Sequence, residues 1–343
     1  MKQIDSKNSL LSLSCTELLR VVFETMVLIH HLYLVYTSLG AVITNALGPI
    51  AVGGFIFLSG FGVGLSFIKK GDEYAKKLLK VRVPKIYLTL FIVDLCYLVL
   101  YLALGGEFNN LFSAIISVFY LPVFNGFVAL SHWIYFLADL LIYYLLFLLF
   151  IFIFRKTKNR LLNTALVILA IDLIIIVVLS IINYKTGSSR YLRACLCFPI
   201  GLICSAFNEE LSFVVKGSKP ILLVVLSLIS VFTITICIIP SVNSDPIKEY
   251  VLPILAIFAL VVILCGVNFK SKFISYASSL VLCVYVSHEF FLNLFQELLP
   301  MLHRNIIGLI VFVCSVLFAI AINSVIKYLK KKIDIKKFVF KNT

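Results

Sequence analysis

The sequence predicts an all-α integral membrane protein of about ten transmembrane helices. Its mean hydropathy is +1.10 and 62% of its residues are hydrophobic, against about 45–50% apolar residues in a soluble domain. Apolar runs long enough to span a bilayer alternate with short polar breaks, and the alternating ten-residue pattern of a membrane β-barrel does not occur. The net charge of +14 comes from 30 Lys and Arg against 16 Asp and Glu. These cations cluster in the breaks beside apolar runs, as topology signals do, and no basic stripe is interleaved with aromatics. Nucleic acid is therefore excluded as a partner, and membrane lipid is implied.

The ten runs cover 17–38, 46–68, 84–104, 133–154, 162–182, 191–207, 220–239, 250–267, 274–296 and 306–328. The stretch 108–127 is also apolar but is broken by Pro122, Asn125 and Gly126, which predicts a re-entrant or interfacial segment. With ten spans and a cytoplasmic N-terminus, the inside loops hold Lys69, Lys70, Lys76, Lys77, Lys80, Arg82 and Lys85, then Arg155, Lys156, Lys158 and Arg160, then Lys216, Lys219, Lys270 and Lys272. The outside loops hold only Lys185, Arg190, Lys248 and Arg304. That asymmetry predicts cytoplasmic N- and C-termini. The N-terminus lacks a cleavable signal pattern. One membrane domain is expected over 1–343, with a core of about 14–330 and a basic tail at 327–343.

The first run reads ELLRVVFETMVLIHHLYLVYTSLG and carries Arg20, Glu24, His30 and His31. Eleven residues separate Arg20 from His31, which at about 100° per residue returns the side chain to within roughly 20° of the same face, roughly 16 Å further along. Ionisable groups inside a membrane are costly and point to a functional site. Glu24, four residues from Arg20, shares that face; it could neutralise Arg20 in a purely structural ion pair. His30 points about 100° away from His31 and suits a hydrogen bond between helices.

The second run carries GGFIFLSGFGVG, where Gly54, Gly60 and Gly64 permit close helix approach and Ser59 can bond across helices. The stretch KKGDEYAKKLLKVRVPKIY is the most basic internal one; Lys77, Lys80, Arg82 and Lys85 could grip phosphates as well as set topology. The fourth run opens on Trp133, the single tryptophan, with Asp139 six residues on. Asp94 and Asp172 are further intramembrane acids with no assigned role. Arg193 lies just inside the sixth run, where it could simply snorkel. The ninth run places Tyr285, His288 and Glu289 within one turn. The nine cysteines form no Cys-x-x-Cys pair and read as small buried apolar residues, and no metal site is expected. No P-loop, dinucleotide-binding glycine signature, HExxH or Gly-x-Ser-x-Gly elbow occurs.

In order along the chain, these motifs resemble the membrane acyltransferase-3 family, which O-acylates cell-surface and secreted glycans. The likeness runs from about residue 14 to 330. It rests on Arg-x10-His (Arg20, His31), on Phe-x-x-x-Ser-Gly-Phe (Phe55 to Phe61), on the basic run from Lys77 to Pro84, on HWIYFLADLLIYY, on RACLCFPIGL and on VYVSHEFF. Each motif is short and degenerate; their joint order and spacing are far more specific. Where the family carries paired arginines implicated in acyl-CoA binding, this chain has Lys77 and Lys80, which supply charge but no bidentate fork.

The resemblance implies an acyltransferase of the plasma membrane. Its donor would be cytoplasmic acyl-CoA, with no permanently bound cofactor. Its acceptor would be a hydroxyl of a cell-surface glycan or lipid-linked sugar, and the transferred group acetyl or succinyl. His31 would act as general base, with His30 as the alternative. Arg20 would hold the donor or stabilise developing charge, and Glu24 would orient Arg20. The rival classes are a transporter or flippase of lipid-linked sugars, which predicts paired broken helices and a repeat, and a glycan polymerase, which predicts a large outside loop bearing Arg or His. No broken-helix pair or repeat is found, and the largest outside loop, 105–132, has no Arg or Lys and a single histidine, His132, at its end.

Overall fold

Apolar runs in lipid must satisfy their own backbone groups, and they do so here as helices. The computed structural model describes residues 9–33, 38–103, 135–181, 194–238, 250–267, 270–299, 301–302 and 304–341. Among these residues there are ten α-helices and no strand. They are α1 (Leu13–Tyr33), α2 (Ser38–Lys70), α3 (Asp72–Ala103), α4 (Tyr135–Ile153), α5 (Arg160–Ile181), α6 (Cys197–Ala206), α7 (Asn208–Ile238), α8 (Leu252–Leu264), α9 (Lys272–Leu298) and α10 (Arg304–Lys341). The all-α membrane class is borne out. Among the described residues, five segments are long and apolar enough to cross a bilayer: Leu47–Lys70, Arg160–Val178, Asn208–Ser230, Lys272–Gln296 and Ile306–Val325. The apolar helices α6 and α8 are shorter, at 10 and 13 residues. The segment 108–127 lies outside the described residues, as do Trp133 and Arg193.

Three elements differ from the sequence reading. The basic stretch after α2 is not a loop. Gly71 alone breaks the chain, at φ +56, and its N–H caps α2 by bonding the Phe67 carbonyl at 2.7 Å. This is the left-handed helix stop that favours glycine. The chain re-enters a helix at once, with Asp72 and Glu73 in the first turn of α3, where acids suit the helix dipole. Secondly, α7 begins twelve residues before the predicted 220 and bends at Ser218 (φ −115, ψ 16), two residues ahead of Pro220. Proline lacks the N–H for the helix ladder and crowds the preceding turn, which accounts for the bend. Thirdly, the basic tail continues α10 to Lys341, giving 38 residues, or about 57 Å at about 1.5 Å per residue.

The chain forms two compact units. The first comprises residues up to Val83 together with Tyr135–Ser275; the second comprises Pro84–Ile134 and Tyr276–Thr343. The division inside α3 falls at Pro84. In the first unit α2 is the central helix, packed by α1, α6, α8 and α4. Its closest crossing is with α6. A Cβ on Gly60 would run into the Phe198 carbonyl oxygen, and one on Gly201 would run into the Phe57 carbonyl and lie 2.8 Å from the Phe61 nitrogen. The two backbones therefore touch, and the fully buried rings of Phe57, Phe61 and Phe198 flank the crossing. In the second unit, Phe291 meets Phe318 edge-on with centroids 5.6 Å apart, joining α9 to α10.

The cysteines behave as small core residues. Cys15, Cys195, Cys197, Cys204, Cys265 and Cys283 are buried, Cys96 and Cys314 are partly buried, and all eight are free thiols.

Candidate functional site

The register of α1 on α2 sets the site. Phe23 packs against Gly54, and a Cβ on Gly48 would lie 2.7 Å from Cδ2 and Nε2 of His30. Moving from Phe23 to His30 thus means moving backward from 54 to 48, so the helices are antiparallel. Ser59 then sits level with the turn of α1 that carries Arg20. His30 and His31 lie about two turns beyond the α1 midpoint, their rings edge-on with centroids 4.9 Å apart.

Around that Ser59 level the first unit gathers a polar cluster. The Ser59 Oγ lies 2.7 Å from the Tyr144 Oη, tying α2 to α4. Arg20 lies within electrostatic reach of Arg82, Glu17 and Tyr144. Arg82 has Tyr144 and Tyr74 as its own neighbours, and its Nη2 comes within 3.9 Å of where a Gly62 Cβ would stand. Both arginines are partly buried. The ion pairs among the described residues are Lys77–Glu73, Arg155–Asp72 and Arg160–Asp72, and none involves Arg20 or Arg82. Two guanidinium groups thus converge beside the hydroxyls of Ser59, Tyr144 and Tyr74, with no carboxylate bridged to them among the described residues. Each guanidinium offers five N–H donors in a fixed fork matched to phosphate or carboxylate.

Glu24 does not pair with Arg20 as the sequence spacing allows. It is 5% exposed, and neither of its carboxyl oxygens has a hydrogen-bond partner among the described residues. Helical side chains lean toward the helix N-terminus. Arg20 accordingly has Glu17, three residues before it, as its acidic neighbour. Glu17 itself accepts a hydrogen bond from Ser275 at 3.1 Å.

Of the four residues expected to hold phosphates, Arg82 joins the cluster, Lys77 and Lys80 do not, and the Lys85 side chain lies outside the described residues. Lys77 spends its ammonium on Glu73 at 2.6 Å, with both side chains more than half exposed, and Lys80 is exposed. The residue Tyr144, which the sequence reading passed over, is what brings α4 into the site. Its only signal is a hydroxyl-bearing residue doubled with Tyr143 inside an otherwise apolar run.

A second, acidic cluster stands on the other side of Phe198. Tyr143 donates to Asp172 Oδ1 at 3.1 Å. Asp139 and Asp172 are buried at 5% and 3% exposure, within electrostatic reach of each other and of Cys195. The Phe198 ring is stacked on Tyr143 (centroids 4.8 Å) and edge-on to Tyr144 (6.3 Å). One aromatic ring therefore separates the arginine cluster from the carboxyl cluster. In the second unit, Tyr285 and His288 are buried with ring centroids 5.6 Å apart, and Glu289 is buried beside them in sequence.

Comparison with known proteins gives one match. The family model described as an acyltransferase domain matches residues 14–328. No curated protein and no solved structure is significantly similar to the chain.

Proposed function

Because the chain belongs to this acyltransferase-3 family, we propose that it is a multi-pass membrane O-acyltransferase whose donor is cytoplasmic acyl-CoA and whose acceptor is a hydroxyl of a cell-surface or lipid-linked glycan. The observation that carries this reading is the convergence of Arg20 and Arg82 with no carboxylate bridged to either among the described residues. Two like charges in an apolar setting repel each other, and a polyanion relieves both the repulsion and the burial cost. The phosphates of acyl-CoA are such a polyanion. With α1 entering from the cytoplasm, this cluster faces the donor side of the plasma membrane and His31 lies deeper.

In this proposal His31 takes the proton from the acceptor hydroxyl as its oxygen attacks the thioester carbonyl. A carbon–oxygen bond forms, the carbon–sulfur bond breaks, and the proton passes to the departing thiolate. Arg20 and Arg82 hold the donor phosphates beside the paired hydroxyls of Ser59 and Tyr144. The transferred group in this proposal is acetyl or succinyl.

The test is release of free CoA by the purified protein in lipid nanodiscs, with candidate acyl-CoAs, with and without glycan extracts as acceptor. Acceptor-dependent release is expected, abolished in His31→Ala with folding intact. Full activity in His31→Ala together with its loss in His30→Ala transfers the base role to His30. Failure to bind or turn over any acyl-CoA overturns the proposal.

A further inference from the structure

Beyond the C-terminal end of α2, a cavity of about 500 Å³ opens among the ends of α2, α5 and α6. Its walls are of two kinds. Phe67 and Phe207 contribute aromatic surface, while Lys158, Asn159 and Arg160 contribute an ammonium, an amide and a guanidinium. Gly71 lines it as well, at a positive φ and with nothing within 4 Å of where its Cβ would point. Phe207 is 40% exposed, at the short break between α6 and α7. Lys158 and Asn159 are also exposed.

Arg160 is held in place before any ligand arrives. Its guanidinium bonds Asp72 and the Ile151 carbonyl, and it lies over the Phe67 ring at 5.1 Å from the centroid. Its Nη2 is buried and has no hydrogen-bond partner among the described residues. The wall is thus a preorganised cationic group backed by an aromatic ring. Phe67 follows Ser59 by eight residues on the same helix, so the cavity lies roughly 12 Å along α2 from the arginine cluster.

We infer that this cavity binds the nucleotide end of the donor, with the purine base against Phe207 and the ribose phosphate at Lys158. The inference rests on the acyl-CoA reading above. An exposed aromatic ring is a stacking platform for a base, an amide reads a base edge, and an ammonium on a flexible stem meets a phosphate as a point charge. The donor's arm then runs along α2, its diphosphate at Arg82 and Arg20 and its thioester deeper, toward His31.

The test uses the full chain in nanodiscs and adenosine 3′,5′-bisphosphate as probe, by isothermal titration. Phe207→Ala and Lys158→Ala are each expected to weaken binding at least tenfold. Lys156→Ala, which removes one charge from the same loop outside the cavity, is expected to change it less than twofold. The KM for acyl-CoA rises by the same factor with kcat unchanged, while turnover of the acyl-pantetheine lacking the nucleotide is unaltered in both variants. Equal probe affinity in wild type and both variants overturns the inference even where acyl-CoA turnover is normal. Equal displacement of the probe by base-free ribose bisphosphate or by anionic lipid vesicles also overturns it, in favour of a headgroup site. Loss of probe binding in the variants with no acyl-CoA or acyl-pantetheine turnover by wild type keeps the cavity a nucleotide site and overturns the donor reading alone.

Discussion

The Ser59 hydroxyl lies 2.7 Å from the Tyr144 hydroxyl, and this contact joins α4 to α2 beside two arginines. Either oxygen can donate, so each residue depends on the other for a partner. Leaving one of two such buried groups unpaired costs about 1–3 kcal/mol. Ser59→Ala and Tyr144→Phe are each expected to lower stability by that order, and the double variant by less than the sum. Thermal unfolding in detergent measures the cycle; strict additivity would show that the contact carries no coupling.

Arg20 and Arg82 are expected to serve the ligand rather than the fold. Replacing Arg82 by Ala removes a like charge from beside Arg20 and leaves no carboxylate stranded, since none is bridged to it. Acyl-CoA affinity should fall at least tenfold in Arg20→Ala and Arg82→Ala, with the apparent melting temperature unchanged. Arg82→Lys should restore only part of the affinity, because the fork is lost. A drop in melting temperature that parallels the loss of affinity would make the pair structural.

The crossing of α2 and α6 is expected to tolerate no side chain. At Gly60 and Gly201 the obstructing atoms are backbone, so the helices themselves must move apart. Gly60→Ala should cost about 3 kcal/mol or more. Gly217→Ala, with nothing within 4 Å, should leave stability unchanged or raise it by up to about 1 kcal/mol. Comparable melting temperatures for the two variants would refute the crossing.

Asp72 gives the fold an acid-sensitive joint. The hydrogen bond from Arg160 holds its carboxyl below the ordinary value of 3.8, with Arg155 adding charge 3.6 Å away. A carboxyl depressed in the folded state contributes stability that is present above the unfolded value and lost as pH falls through the folded one. Melting temperature should therefore drop below about pH 4 in wild type, and the drop should be smaller in Asp72→Asn. An identical acid limb in both proteins would place the acid sensitivity elsewhere.

Much of the site is legible in the sequence. Arg20, His31 and Ser59 announce themselves because an ionisable or small polar residue inside an apolar run stands out against its neighbours. Tyr144 does not, since tyrosine is common in membrane runs and its partner lies 85 residues away in sequence. Glu24 is legible as a residue but not in its contact: the four-residue spacing from Arg20 suggests a pair, whereas the acid beside Arg20 in the structure is Glu17. Lys77 and Arg82 look alike as cations of one basic stretch. Once that stretch is helical, five residues turn them about 140° apart, one to solvent and one inward.

What the sequence determined by itself was therefore the class of the molecule: apolar length and the placement of charge dictate helices in a membrane, because lipid leaves the backbone no other partner. Its ordered motifs also named the family. The tertiary structure decided which polar groups meet. Gly60 and Gly201 let two backbones touch, and the antiparallel register of α1 on α2 then sets Arg20 level with Ser59. The Phe198 ring separates the arginines from Asp139 and Asp172. Such meetings depend on distances between helices far apart in the chain, and spacing along one helix carries no information about them.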